Sequence, residues 1–85
     1  MILKFSKTAE DSYKKLPLNI QKKADRQFNY LLSNYRHPSL RTGKMGEGNI
    51  YEGRIDIHYR FSFQVIGEEI YILIIGSHDV GLGKK

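Results

Sequence analysis

Tyr59-Arg60-Phe61-Ser62-Phe63-Gln64-Val65-Ile66 is followed by Gly67-Glu68-Glu69 and then by Ile70-Tyr71-Ile72-Leu73-Ile74-Ile75. Successive strand residues point to opposite faces, so the first run sends Tyr59, Phe61, Phe63 and Val65 one way and Arg60, Ser62 and Gln64 the other. The glycine-led triplet is a hairpin signal. The second run is β-branched and apolar on both faces, which predicts a central strand covered on both sides. One hairpin of this kind demands a sheet, and the rest of the chain must supply its other strands and its cover.

Upstream, Ile50-Tyr51-Glu52-Gly53-Arg54-Ile55-Asp56-Ile57 also alternates. It places Glu52, Arg54 and Asp56 on one face and Tyr51, Ile55 and Ile57 on the other. Leu40 to Met45 predicts a further strand before the turn Gly46-Glu47-Gly48. Before residue 40 the period lengthens to about 3.6. Ile20, Ala24, Phe28, Leu31, Leu32 and Tyr35 form one stripe, which predicts a helix that ends between Asn34 and Pro38. Ala9, Tyr13 and Leu16 predict a shorter helix, opened by Thr8-x-x-Asp11 and stopped at Pro17. Met1 to Phe5 reads as a strand. The order is β-α-α-β-β-β-β, an α+β domain with an N-terminal strand and a two-helix hairpin packed on a curved, four-stranded antiparallel sheet.

The chain has 85 residues, enough for a single domain spanning 1–85. It lacks cysteine, which removes disulfides and thiolate metal clusters. Hydrophobic residues make up 40%, too many for a disordered chain. No run approaches the roughly 20 apolar residues of a membrane helix, and no secretory signal opens the chain, so the expectation is a soluble cytoplasmic protein. Fourteen Lys and Arg against nine Asp and Glu leave a net charge of +5. The excess is +6 over residues 1–48 and −1 over 49–85, so the first half favours an anionic partner or is simply a lysine-decorated, solvated helix.

Arg54, Arg60 and His78, if convergent, suit phosphodiester chemistry. Guanidinium forks bind non-bridging oxygens, and an imidazole titrating near neutrality moves a proton. Turn length decides convergence. A three-residue turn at 67–69 sets Arg60 opposite Gly76, with His78 as its same-face diagonal neighbour at about 7–8 Å. A two-residue turn sets Arg60 and His78 on opposite faces. The plainer alternative makes Arg60 a sheet arginine paired with Glu52 or Asp56, and His78 a loop residue without a role. Ser77-His78-Asp79 alternates faces and makes no catalytic triad. His37, His58 and His78 have no zinc-like spacing. Gly81-Leu82-Gly83-Lys84 lacks the other parts of a phosphate loop.

Taken in order, Lys14-Lys15-Leu16-Pro17, Ile20-Gln21-Lys22-Lys23, His37-Pro38-Ser39-Leu40, Ile50-Tyr51-Glu52, Tyr59-Arg60-Phe61-Ser62-Phe63 and Ile75-Gly76-Ser77-His78-Asp79 resemble the RelE/ParE superfamily of toxins from type II toxin–antitoxin systems. The resemblance runs from about residue 2 to residue 82. It implies a microbial RNase-like fold. It also implies a ribosome-dependent mRNA endoribonuclease in which the 2′-hydroxyl attacks the adjacent phosphate without metal or other cofactor. Arg60 matches the family's transition-state arginine, and His78 the catalytic histidine of YoeB-like and YafQ-like members. Arg54 and Glu52 fall where RelE carries two active-site lysines, Arg54 keeping the charge and Glu52 reversing it as general base or salt-bridge partner. Arg41, Lys44, Lys22, Lys23 and Arg26 would hold RNA backbone.

The chain also departs from the pattern: Asp79 stands where YoeB-like members have tyrosine, and Leu82 where YafQ-like members have phenylalanine. The implied partners are the ribosome, mRNA and a cognate antitoxin, often acidic, that folds on the toxin in an apolar groove between helices and sheet. The alternatives within the superfamily are a ParE-like DNA gyrase inhibitor and a non-catalytic member that binds antitoxin and co-represses its operon.

Overall fold

A computed structural model of the chain describes residues 2–35, 37–44 and 48–77. Strand β1 (Ile2–Phe5) leads into helices α1 (Lys7–Lys14) and α2 (Leu18–Ser33). A 3₁₀ turn (Pro38–Leu40) follows, then strands β2 (Gly43–Lys44), β3 (Ile50–Arg54), β4 (Tyr59–Ile66) and β5 (Glu69–Ser77). The α+β class and the element order agree with the sequence reading.

The four expected antiparallel strands, β2 to β5, are present, and the N-terminal strand extends the sheet beyond them. The sheet has five strands, in the order β1-β5-β4-β3-β2, and is mixed. β1 pairs in parallel with β5, Leu3 beside Ile70 and Phe5 beside Ile72. Two helices lie between β1 and the rest of the sheet, which is the long crossover that a parallel neighbour requires.

Both helices cover one face. Ile20, Ala24, Phe28 and Leu31 of α2 are buried against Phe61, Phe63, Ile70, Ile72 and Ile75 of the sheet. Phe28 meets Phe61 edge to face, with ring centroids 5.2 Å apart. β5 is central, as expected, but not doubly covered by helices: Tyr71 and Ile74 on its other face are partly exposed.

Several local expectations shift for identifiable reasons. Ser6, not Thr8, caps α1: its hydroxyl accepts from the Ala9 amide at 3.0 Å. α1 stops at Lys14, one turn before Pro17, yet Leu16 still packs on the core. Tyr35 lies beyond the end of α2 but keeps its place in the stripe by packing edge to face on Tyr51 at 5.5 Å. Leu40, expected to begin a strand, is fully buried in the 3₁₀ turn, and β2 is reduced to Gly43–Lys44. Met45 and the Gly46-Glu47 part of the expected turn lie outside the described residues.

β3 ends at Arg54 because Asp56 closes a turn there, its Oδ1 accepting from the amides of His58 (2.8 Å) and Tyr59 (2.9 Å). Ile57, expected on the core face, is consequently 67% exposed.

Candidate active site

The β3–β4 ladder sets Arg54 directly opposite Arg60 and Glu52 directly opposite Ser62. Phe61 faces α2, so its neighbours Arg60 and Ser62 point to the sheet face the helices leave open. Arg54 and Glu52 share that face. Asp56 does not: it sits in the β3–β4 turn and pairs with Lys23 of α2 at 3.6 Å.

Arg60 Nη1 lies 3.5 Å from Glu52 Oε2, with the two side chains 23% and 30% exposed. The carboxylate pair raised as the plainer alternative for Arg60 is therefore present, formed with Glu52 and not with Asp56. Of the two opposed guanidiniums, only that of Arg60 is met by the carboxylate. Among the described residues no acid pairs with Arg54, and the Nε atoms of Arg54 and Arg60 are both buried without a hydrogen-bond partner. A buried N–H without a partner costs about 1–3 kcal/mol.

On its other side Arg60 faces Gly76, the pairing that had depended on a three-residue turn. The turn in fact has two residues, Gly67 and Glu68, with Gly67 at φ +59°, a left-handed conformation that favours glycine. A bulge between the pairs Ser62↔Ile74 and Phe63↔Ile72 adds the missing residue, Leu73. The bulge thus gives the two-residue turn the Arg60–Gly76 pairing of the three-residue one, while the face expected for His78 falls on a residue outside those described. His78 lies outside the described residues.

Three residues that sequence reasoning passed over hold the site in shape. Gly53 lies between Glu52 and Arg54 with its Cα against the Phe61 ring, which a Cβ there would strike. A glycine inside a strand pattern is a signal of such close approach. Gln27 of α2 is buried and donates from Nε2 to the Arg54 carbonyl at 2.8 Å, which fixes the end of β3. Ser62, also buried, floors the face beside Glu52.

The other predicted cations do not join this cluster. Arg41 and Lys44 line a depression of about 470 Å³ with His37, Thr42 and Tyr51. His37 stacks on Tyr30 with centroids 4.1 Å apart, and Thr42 Oγ1 donates to the Tyr35 carbonyl at 2.6 Å. Arg41 takes a left-handed φ of 51°, uncommon for a residue with a side chain. Tyr51 points toward the helix layer, so this depression opens on that side of the β2 edge. Lys22 and Arg26 are exposed on α2, behind the sheet, and Lys23 is engaged by Asp56.

Burial works to raise the Asp56 carboxyl, but the two amide hydrogen bonds and the Lys23 ammonium outweigh it and hold the group below its ordinary value. A separate groove of about 550 Å³ lies between β1 and the helices, floored by Leu3, Phe5, Tyr13, Phe28 and Leu32. Its rim carries Glu10 and Asp25 as well as Lys14, so the basic excess of the first half is not gathered there.

No protein-family model matches the sequence, and no curated protein matches it. Solved structures do. The isolated RelE toxin of E. coli is similar with a TM-score of 0.78 and 19% identity, over 95% of this chain and 87% of that one. The RelB–RelE antitoxin–toxin complex from Methanococcus jannaschii gives 0.75 and 22%, over 89% and 91%. The heterotetrameric YoeB–YefM toxin–antitoxin complex from Staphylococcus aureus gives 0.67 and 26%, over 92% and 97%. Matches that span nearly the whole of both chains at such low identity speak for architecture, and this chain therefore has the fold of the RelE/ParE superfamily.

Proposed function

We propose that the chain is the toxin of a toxin–antitoxin pair, an endoribonuclease that cuts mRNA on the ribosome and so stops translation. The observation that carries this reading is the Arg54–Arg60 pair on the open face of the sheet, with Glu52 against one member. Two guanidiniums and one carboxylate leave positive charge where a phosphodiester would lie.

In this reaction the 2′-oxygen bonds to the adjacent phosphorus while the bond to the 5′-oxygen breaks. A 2′,3′-cyclic phosphate remains, and the 5′-oxygen leaves with a proton. Arg60 and Arg54 bind the non-bridging oxygens and stabilise the extra charge of the pentacoordinate state. Glu52 takes the 2′-hydroxyl proton once the phosphate draws Arg60 away from it. His78 is assigned the proton delivered to the leaving oxygen, because its ordinary titration range spans neutrality. Arg41 and Lys44 hold RNA backbone that crosses the β2 edge. The fold similarity to RelE and YoeB toxins solved with RelB and YefM supports a protein antitoxin as partner, and the groove beside β1 offers its aliphatic side chains a seat.

The test is induced expression followed by primer extension on cellular mRNA, with purified protein added in parallel to translation and DNA-supercoiling extracts. The expected result is growth arrest, in-frame cuts and failed translation, with supercoiling intact. Arg60→Ala and His78→Ala should abolish all three effects, and full toxicity in either variant would sink the site assignment. Failed supercoiling with normal translation would point to gyrase instead, and no growth arrest at all to a co-repressor.

A further inference from the structure

A ladder that starts from the two-residue turn at Gly67 and Glu68 keeps one offset as it runs, and it would bring Ile75 opposite Arg60. The pairs follow that offset from Ile66↔Glu69 to Phe63↔Ile72 and no further. From Ser62↔Ile74 onward they are shifted by one, and Leu73 has no opposite residue on β4. The shift keeps both Ile72 and Ile75 in the core although they are three residues apart. It also brings Gly76 beside Arg60, where an unshifted strand would place the branched side chain of Ile75 against the guanidinium.

The bulge is held from the other edge of β5. Ser6, just past the end of β1, donates its amide to the Ile72 carbonyl at 2.9 Å and its hydroxyl to the Leu73 carbonyl at 2.7 Å. Successive carbonyls of a regular strand point to opposite sides. Two in a row that reach one residue belong to the bulge, and the second is met by a side chain because the backbone offers one amide per residue. The same hydroxyl oxygen accepts the Ala9 amide at 3.0 Å.

We propose that Ser6 is a positioning residue for the arginine site: its hydroxyl pins the Leu73 bulge and thereby fixes which β5 residue lies against Arg60. The inference rests on the reading of Arg60 as a phosphate-binding group. Three variants of the full chain separate this role from helix capping. Ser6→Thr keeps both donor and acceptor. Ser6→Asp keeps the acceptor that caps α1 but, ionised, has no proton for the Leu73 carbonyl. Ser6→Ala loses both without adding charge.

Amide hydrogen exchange followed by NMR and the binding of a short 2′-O-methyl RNA, which cannot be cut, are measured on each. In Ser6→Asp and Ser6→Ala the amides of residues 74–77 should exchange at least about tenfold faster, a larger change than in β3, and the RNA should bind about tenfold more weakly. Ser6→Thr should match the wild type. A uniform rise in exchange across the sheet, or wild-type behaviour of Ser6→Asp, would overturn the proposal. Wild-type protein that fails to bind the RNA would overturn the reading of the arginine site and the positioning role with it, even where the exchange pattern holds.

Discussion

Arg54 and Arg60 stand face to face across two neighbouring strands, and a carboxylate reaches one of them. Like charges directly opposite weaken an antiparallel pair by about 0.2–1 kcal/mol. The arrangement is therefore poor for the sheet and suited to an anion. Arg54→Gln should raise unfolding free energy at low salt by about 0.5 kcal/mol, read from urea midpoints, while mRNA cleavage falls at least about 100-fold. A variant that loses both stability and cleavage would show that the repulsion is already relieved in the free protein.

The basic residues should separate into two groups. Arg41→Ala and Lys44→Ala should each weaken RNA binding similarly for all sequences and lower the slope of log affinity against log salt by about one. Lys23→Ala should leave that slope nearly unchanged and instead lower stability, because Lys23 is paired with Asp56. Binding titrations at several salt concentrations, alongside thermal melts, distinguish the two outcomes.

Asp56 contributes to the acid limb of stability, alongside Glu69, whose carboxyl is held down mainly by the Tyr71 hydroxyl. The Asp56 carboxyl lies below the ordinary value in the folded chain, so its contribution is complete above the unfolded value near pH ~4 and is lost as pH falls through the lower folded value. Urea midpoints from pH 7 to pH 2 should therefore fall more steeply for the wild type than for Asp56→Asn. At neutral pH the variant should be the less stable of the two. Equal slopes would remove Asp56 from the account.

Gly53→Ala drives a methyl group into the Phe61 ring, which is fully buried and has nowhere to retreat. Overpacking of this kind costs about 1–3 kcal/mol. The double variant Gly53→Ala with Phe61→Leu should recover part of that loss, measured by chemical denaturation. A single variant as stable as the wild type would mean that β3 and α2 can separate without cost.

The helix stripe from Ile20 to Leu31 and the alternation of Phe61 and Phe63 were legible because each follows a periodicity fixed by backbone geometry. The parallel placement of β1 was not, since four residues of strand carry no mark of which neighbour they will choose. Parity grouped Arg54 with Glu52 and Arg60 with Ser62 on their own strands, but the meeting of the two arginines needed the register. The β4–β5 register hides a compensation: the turn is one residue shorter than the Arg60–Gly76 pairing requires, and Leu73 restores it. In an apolar run such as Ile72-Leu73-Ile74-Ile75, every residue looks equally fit for the core, so a bulge leaves no trace in the letters. The turn at Asp56 was missed for the opposite reason, because alternation continued to Ile57 after the strand itself had ended.

The parallel seam between β1 and β5 joins parts of the chain made far apart in time. Ser6 and Leu73 are 67 positions apart, and the hydrogen bond between them waits until nearly the whole described chain exists. Contacts of such long range make folding slow, because the closure entropy of the intervening loop is lost before the contact rewards it. During synthesis the arginines of β3 and β4 emerge before the strand that completes their surroundings. The arginine site is therefore completed late, once β5 has been made and has paired with both β4 and β1.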